Sequence, residues 1–234
     1  MNDDRLWVCR LGMVEYRAAL ALQEHVRAAR QAGALPDVLL LLEHPAVYTR
    51  GRRSQPGELP MGEAWYRTQG IDVVATDRGG RVTYHGPGQL VGYPIMAIDD
   101  VIAYLRTMEG AIVAALADAG VRAHARPDDG PDFTGVWTQG RKIASIGVHV
   151  SRGVTTHGFA VNVHNDLEPF SWVVPCGLED VRMTSLRRES GRGGELLAPF
   201  RERMALRFAE AFGRRPLAVA PERLEASAPV RSPA

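Results

Sequence analysis

Two stretches of this chain, "IASIGVHV" (143–150) and "HGFAVNV" (157–163), alternate between one apolar face and one of mostly small or polar residues. That period of two belongs to β-strands, whose successive side chains leave opposite faces, and it cannot be laid on a helix. Ala144, Ile146, Val148 and Val150 form one apolar face, with Ser145, Gly147 and His149 opposite. Phe159, Val161 and Val163 repeat the arrangement against Gly158, Ala160 and Asn162. Small side chains on a sheet face leave room either for a ligand or for a second backbone or helix packed close.

Other segments carry the helical period. Residues 14–32 put Val14, Leu20, Leu22 and Val26 near one stripe and stop at Gly33. A second helix, capped by Asp99-Asp100, runs to Gly120 with Val101, Ile102, Leu105, Met108, Ile112 and Leu116 inward, and a third covers 195–212 before Gly213. "PDVLLLLEHP" reads as a buried strand ending at His44-Pro45, and shorter β-like runs occupy 71–76, 81–84 and 89–95. Residues 50–62 are loop chemistry. The mixture predicts one α+β domain over 1–215, mixed β-sheets flanked by helices, followed by a poorly ordered Pro/Ala/Arg tail over 216–234.

Composition closes several routes. A formal net charge of +1 provides no global field for nucleic acid or a membrane surface. The runs "VLLLL" and "AIVAALA" are too short to span a bilayer, and "MNDDRLWVCR" has no signal-like apolar core. Cys9 and Cys176 are far apart and show neither disulfide nor metal spacing, which predicts a reducing, cytoplasmic setting. His149, His157 and His164 cluster with Cys176 beyond, but none has a zinc spacing, so no metal is expected.

Four features can carry chemistry. The segment 77–94, "DRGGRVTYHGPGQLVGYP", has two glycine turns around a short strand bearing Thr83 and His85. Exposed backbone N–H groups of such turns bind an oxyanion or a polar ligand end, or they are simply turns. The segment is neither a Walker loop nor a dinucleotide fingerprint. His85 either faces the chemistry or only ties the two turns together. "VVPCGLED" holds Cys176 between a proline and a glycine, a forced turn that exposes a thiol as nucleophile or as bystander. Lys142 is the only lysine beside 27 arginines. Either this is drift in an arginine-rich chain, or the position needs a cation that can also release its proton, which arginine cannot do. Cys176 and Lys142 together suggest a Cys–Lys dyad for acyl transfer.

Five segments in order, "LLLLEHPAVYTRGRR", "RGGRVTYHGPGQLVGYP", "GRKIASIGVHV", "HGFAVNV" and "PCGLEDVRMTSL", resemble the motifs of lipoyl(octanoyl) transferases, in the fold group of lipoate and biotin protein ligases. The resemblance covers residues 6–190. It implies transfer of an octanoyl group from octanoyl-acyl carrier protein to a lysine of a lipoyl domain, on 2-oxoacid dehydrogenase E2 subunits and the glycine cleavage H protein, with no cofactor. It makes Cys176 the thioester carrier and Lys142 its acid/base partner. It assigns the acyl chain and its carbonyl to Arg78, Gly79, Gly80, Arg81, Val82, Thr83, Tyr84 and His85, to Ser145, Ile146 and Gly147, and to Gly158, Phe159 and Ala160. Val161 departs from the leucine common there. Two rival readings are an ATP-dependent ligase of the same fold, which needs no cysteine, and a non-catalytic acyl- or carrier-protein-binding module.

Overall fold

A computed structural model describes residues 4–173 and 181–225. In chain order the elements are β1 (Arg5–Met13), α1 (Tyr16–Gln31), β2 (Asp37–Glu43), β3 (Val47–Arg50), α2 (Glu63–Thr68), β4 (Asp72–Ala75), β5 (Val82–His85), β6 (Gln89–Ile95), α3 (Val101–Asp118), β7 (His124–Ala125), β8 (Gly135–Thr138), β9 (Arg141–Ser151), β10 (Val154–Asn162), α4 (Leu186–Ser190), α5 (Leu197–Ala211), β11 (Arg215–Val219) and α6 (Glu222–Glu225).

Eight strands form the main sheet in the order β11-β1-β2-β6-β10-β9-β8-β7, and β4-β3-β5 form a second, smaller one. β1 runs parallel to β2 and β11, and the strands from β2 to β7 pair antiparallel. The unbroken leucine run of β2 has its cause in this layering. Leu39 and Leu41 join the core under α3 and α5, while Val38, Leu40 and Leu42 join the core under α1. A strand covered on both faces needs no polar alternation.

The helices form where periodicity put them, but two stripes are shifted. In α1 the buried residues are Tyr16, Ala19, Gln23, Val26 and Ala29, so of the expected stripe only Val26 is fully inward. Alanines at the contact let the helix lie close to the sheet, and Val14 and Leu22 pack at its margin. In α3, Asp100 caps the Ile102 and Ala103 N–H groups, and Met108, Ile112 and Leu116 point inward as expected. Val101 and Ile102 are exposed, because the buried stripe starts at Tyr104.

The stretch after Pro216 departs from the expectation of a poorly ordered tail as far as residue 225. β11 pairs Arg215–Val219 with Arg5–Cys9 at the edge of the main sheet, and Leu224 is fully buried against the α1 side. A proline is tolerated there because an edge strand need not donate every N–H. No helix among the described residues is long and apolar enough to cross a membrane.

Candidate active site

The small-residue faces of β9 and β10 lie side by side, with Ser145 opposite Ala160 and Gly147 opposite Gly158. This is the face turned toward α1, since Ala160 packs in the core with Ala19 and Val26. Two of the four small residues make room for backbone. A Cβ on Gly147 would stand 2.7 Å from the Gly79 carbonyl oxygen, and one on Gly158 would stand 2.2 Å from that of Gly92. The Gly79 N–H donates to Val148 O at 2.9 Å, which fastens the 78–80 turn across β9. Close packing and a ligand space therefore occur on the same face.

A cavity opens between that face, the 78–85 segment and the 131–134 turn. Among its walls are Arg78, Gly80, Arg81, Val82, Thr83, His85, Lys142, Ser145, Ile146, Gly147, Gly158, Phe159 and Ala160. Gly79 and Tyr84 are not among them. Gly79 is spent on the contact with β9, and Tyr84 packs in an aromatic cluster with Tyr48 and Phe170. The Phe159 ring turns away, over Gly92 and 6.1 Å from Phe208. The Arg78 guanidinium ties its own loop together, donating to Thr49 Oγ1 and O and to the carbonyls of Gly79 and Arg81.

Lys142 is the second residue of β9 and is only 1% exposed. Its backbone N–H donates to Arg182 O at 2.8 Å, and its carbonyl accepts from Thr184 N–H at 2.9 Å. Residues that follow the Pro-Cys-Gly motif are thus paired to the lysine. Its ammonium lies 5.3 Å from the centre of the Trp137 ring. Gly135, at φ +137°, forms the wall beside the stem; a Cβ there would come within 2.8 Å of Lys142 Cε. The buried carboxylate of Glu109 holds the Gly135 N–H at 2.9 Å. Cys176 lies outside the described residues.

The far wall was not legible in the sequence as part of a site. Tyr16, from the start of α1, stacks on His85 at 6.0 Å, and Tyr93 of β6 faces His157 edge-on. His44 donates from Nδ1 to Val14 O, so its Nε2 accepts the Tyr93 hydroxyl at 2.7 Å. Burial pushes His44 down to about 4. Burial, reinforced by His44, pushes His85 down to about 3, so both imidazoles are neutral at physiological pH. His157 sits at φ +57° inside β10, its N–H held by Gln23 and its Nε2 2.7 Å from Asp77. Burial lowers His157 despite that carboxylate. Burial also works to raise Asp77, but the His157 hydrogen bond and the charges of both neighbouring histidines outweigh it and hold the carboxyl low. At the mouth Asp132 pairs with Arg53 at 3.0 Å and Arg81 at 3.8 Å, and Arg81 also reaches Glu58 at 2.9 Å. No group of three or more His, Cys, Asp or Glu among the described residues could hold a metal.

An ammonium buried in the wall of a cavity lined in part by small and apolar residues, and tied by its backbone to the segment after Cys176, suits acyl chemistry, and chains similar to this one are known. Residues 15–209 match the lipoyl protein ligase A/B catalytic domain. The chain belongs to that family. The octanoyltransferase of Mycobacterium bovis (strain BCG / Pasteur 1173P2) is 50% identical over 191 residues, covering 79% of this chain and 78% of that one. The octanoyltransferase of Mycobacterium avium (strain 104) is 49% identical over 197 residues with the same coverage. Among solved structures, a lipoate-protein ligase A bound with ATP superposes with a TM-score of 0.70 at 19% identity, over 97% of this chain and 92% of that one. A bi-partite lipoate protein ligase from Thermoplasma acidophilum gives 0.69 at 19% identity, over 97% and 91%. The expected fold is confirmed by these likenesses, and the octanoyltransferase relatives, within the matched family, make the chain a transferase enzyme.

Proposed function

We propose that this transferase moves an octanoyl group from an acyl carrier protein to a lysine of a lipoyl domain, through a thioester on Cys176 with Lys142 as proton carrier. One observation carries the reading: the sole lysine of the chain is buried at the cavity, and both of its backbone hydrogen bonds go to residues 182–184. Cys176 precedes Arg182 by six residues, so the chain tethers the thiol within about 20 Å of that pairing. The octanoyltransferase relatives support the acyl group.

In the first half-reaction the Cys176 thiolate attacks the carrier-bound carbonyl. The bond to the carrier sulfur breaks, and that sulfur leaves with a proton from Lys142. In the second, the neutral acceptor amine attacks the Cys176 thioester and returns its proton to Lys142, so thiolate and ammonium are restored. Thioester exchange is nearly isoenergetic and amide formation from a thioester is downhill, so no nucleotide is consumed. Backbone N–H groups near Gly147 stabilise the oxyanion. The acceptors are lipoyl domains of 2-oxoacid dehydrogenase E2 subunits and the glycine cleavage H protein, and the setting is the cytoplasm, where Cys9 and Cys176 stay reduced.

The test is intact mass of the protein after mixing with octanoyl carrier protein. The expected result is one octanoyl adduct, labile to neutral hydroxylamine, on Cys176. An adduct on Cys9, or a thioester that persists in Cys176→Ser, overturns the assignment. Transfer that proceeds only with ATP and free acid supports a ligase instead, and acyl binding without any adduct supports a binding module.

A further inference from the structure

Beneath the cavity a buried amide network joins β5 to the segment paired with Lys142. His85 Nδ1 lies 2.7 Å from Gln89 Oε1, and Gln89 Nε2 donates to Tyr84 O at 3.1 Å and to Asn162 Oδ1 at 2.9 Å. Asn162 Oδ1 also accepts from Asn165 Nδ2 at 3.2 Å, and Asn162 Nδ2 donates to Thr184 O at 3.0 Å. Asn162 is 1% exposed.

The polarity of this network is fixed at both ends. Tyr84 O and Thr184 O are carbonyls that only accept, so each amide must turn its nitrogen toward them. Gln89 Oε1 is then left to accept from His85, which puts the His85 proton on Nδ1 and leaves Nε2 as an acceptor. At the other end, the residue whose carbonyl Asn162 holds is the one whose N–H donates to Lys142 O. Thr184 also donates its hydroxyl to Glu189, which pairs with Arg141 next to the lysine.

We propose that Asn162 is a positioning residue for the acyl transfer: its amide holds the 182–184 segment in register with Lys142, and thereby sets how the lysine meets the thiol that precedes that segment. This rests on the Cys176–Lys142 reading above. The two backbone bonds to Lys142 run along one edge of the segment; the Asn162 amide adds a tie from β10 on the Thr184 carbonyl, beside the one the Thr184 hydroxyl makes to Glu189, and so opposes sliding or rotation about that edge.

The informative variant is Asn162→Asp. It keeps an acceptor for Gln89 and Asn165 but replaces the donor facing Thr184 O by an acceptor. A misplacement of about 1 Å costs on the order of 10²-fold in rate. The turnover number should therefore fall by roughly that factor, with KM for the carrier protein unchanged and the pH midpoint of Cys176 alkylation raised. Asn165→Ala, which also removes a bond to Asn162 but whose other side-chain hydrogen bond goes to Asp166 O and not to 182–184, should retain turnover within about twofold, a shift of at most ~0.4 kcal/mol. Native-state hydrogen exchange of a peptide covering 182–186 should quicken in Asn162→Asp and not in Asn165→Ala. If Asn162→Asp does not fold, Asn162→Ala is read the same way. Wild-type turnover in Asn162→Asp, or equal losses in both variants that follow their melting temperatures, overturns the proposal. Absence of any Cys176 adduct in the wild type would instead overturn the thioester reading, while the exchange measurement, which needs no chemistry, still decides whether Asn162 holds the segment.

Discussion

Replacing Lys142 by arginine separates charge from proton transfer, and the structure sets the size of each effect. The side chain is 1% exposed, with Gly135 against Cε and Trp137 near the ammonium, so the larger guanidinium has to displace its neighbours. Overpacking of that kind costs about 1–3 kcal/mol of stability. Loss of a general acid–base costs ~10²–10⁴-fold in rate, or about 3–5 kcal/mol of barrier. The guanidinium has no accessible neutral form, so Lys142→Arg should melt lower yet remain folded, and lose activity by that factor. Lys142→Met preserves much of the stem without charge. It should be equally inactive with a smaller loss of stability, and its Cys176 should alkylate more slowly near neutral pH than in Lys142→Arg. The assay is octanoyl transfer to a lipoyl domain followed by intact mass, beside thermal melts of both variants. Turnover of folded Lys142→Arg within a few-fold of wild type would refute the proton-carrier role.

Gly147→Ala should raise KM for the acyl donor and lower the melting temperature by pushing the 78–80 turn off β9, because its Cβ would meet Gly79 O at 2.7 Å; Gly158→Ala, at 2.2 Å from Gly92 O within the sheet, should fail to fold. Equal stability of Gly147→Ala and wild type would refute that contact. His44 and His85 bind protons more weakly in the folded chain than unfolded, where the value is about 6.5. Stability should therefore be full above pH ~6.5 and fall as pH drops from there toward about 3; denaturant unfolding that is flat over this window would contradict the buried neutral pair. Arg53 is exposed but engages Asp132, whereas Arg52 lies exposed beside it, so Arg52→Glu with Arg53→Glu should raise KM for the acidic carrier and flatten its salt dependence. Unchanged KM and salt dependence would remove this loop from donor steering.

Much of the architecture is written in local patterns. The alternation of β9 and β10, the leucine run of β2, the Asp100 cap of α3 and the stop at Gly213 are decided by a few adjacent residues, and each element forms there. The 78–85 segment and the β9 and β10 stretches that the motifs marked do converge on one cavity with Lys142. Local sequence could not show which small residues face a ligand and which face a carbonyl. Ser145, Ala160, Gly147 and Gly158 all border the cavity, but Gly147 and Gly158 are in addition required by backbone contributed from distant parts of the chain, at Gly79 and Gly92. Nor could it show that Tyr16, Tyr93 and His157 close the far wall, because each comes from a different element and none repeats with any period. β11 was hidden for the same reason: a short edge strand containing proline has little propensity of its own and forms because β1 offers it a row of unpaired backbone groups. Periodicity and capping act over a handful of neighbours, so the sequence by itself determined the elements and the residue types fit for acyl chemistry. Their mutual placement depends on contacts between residues far apart in the chain, and only the tertiary structure decided it.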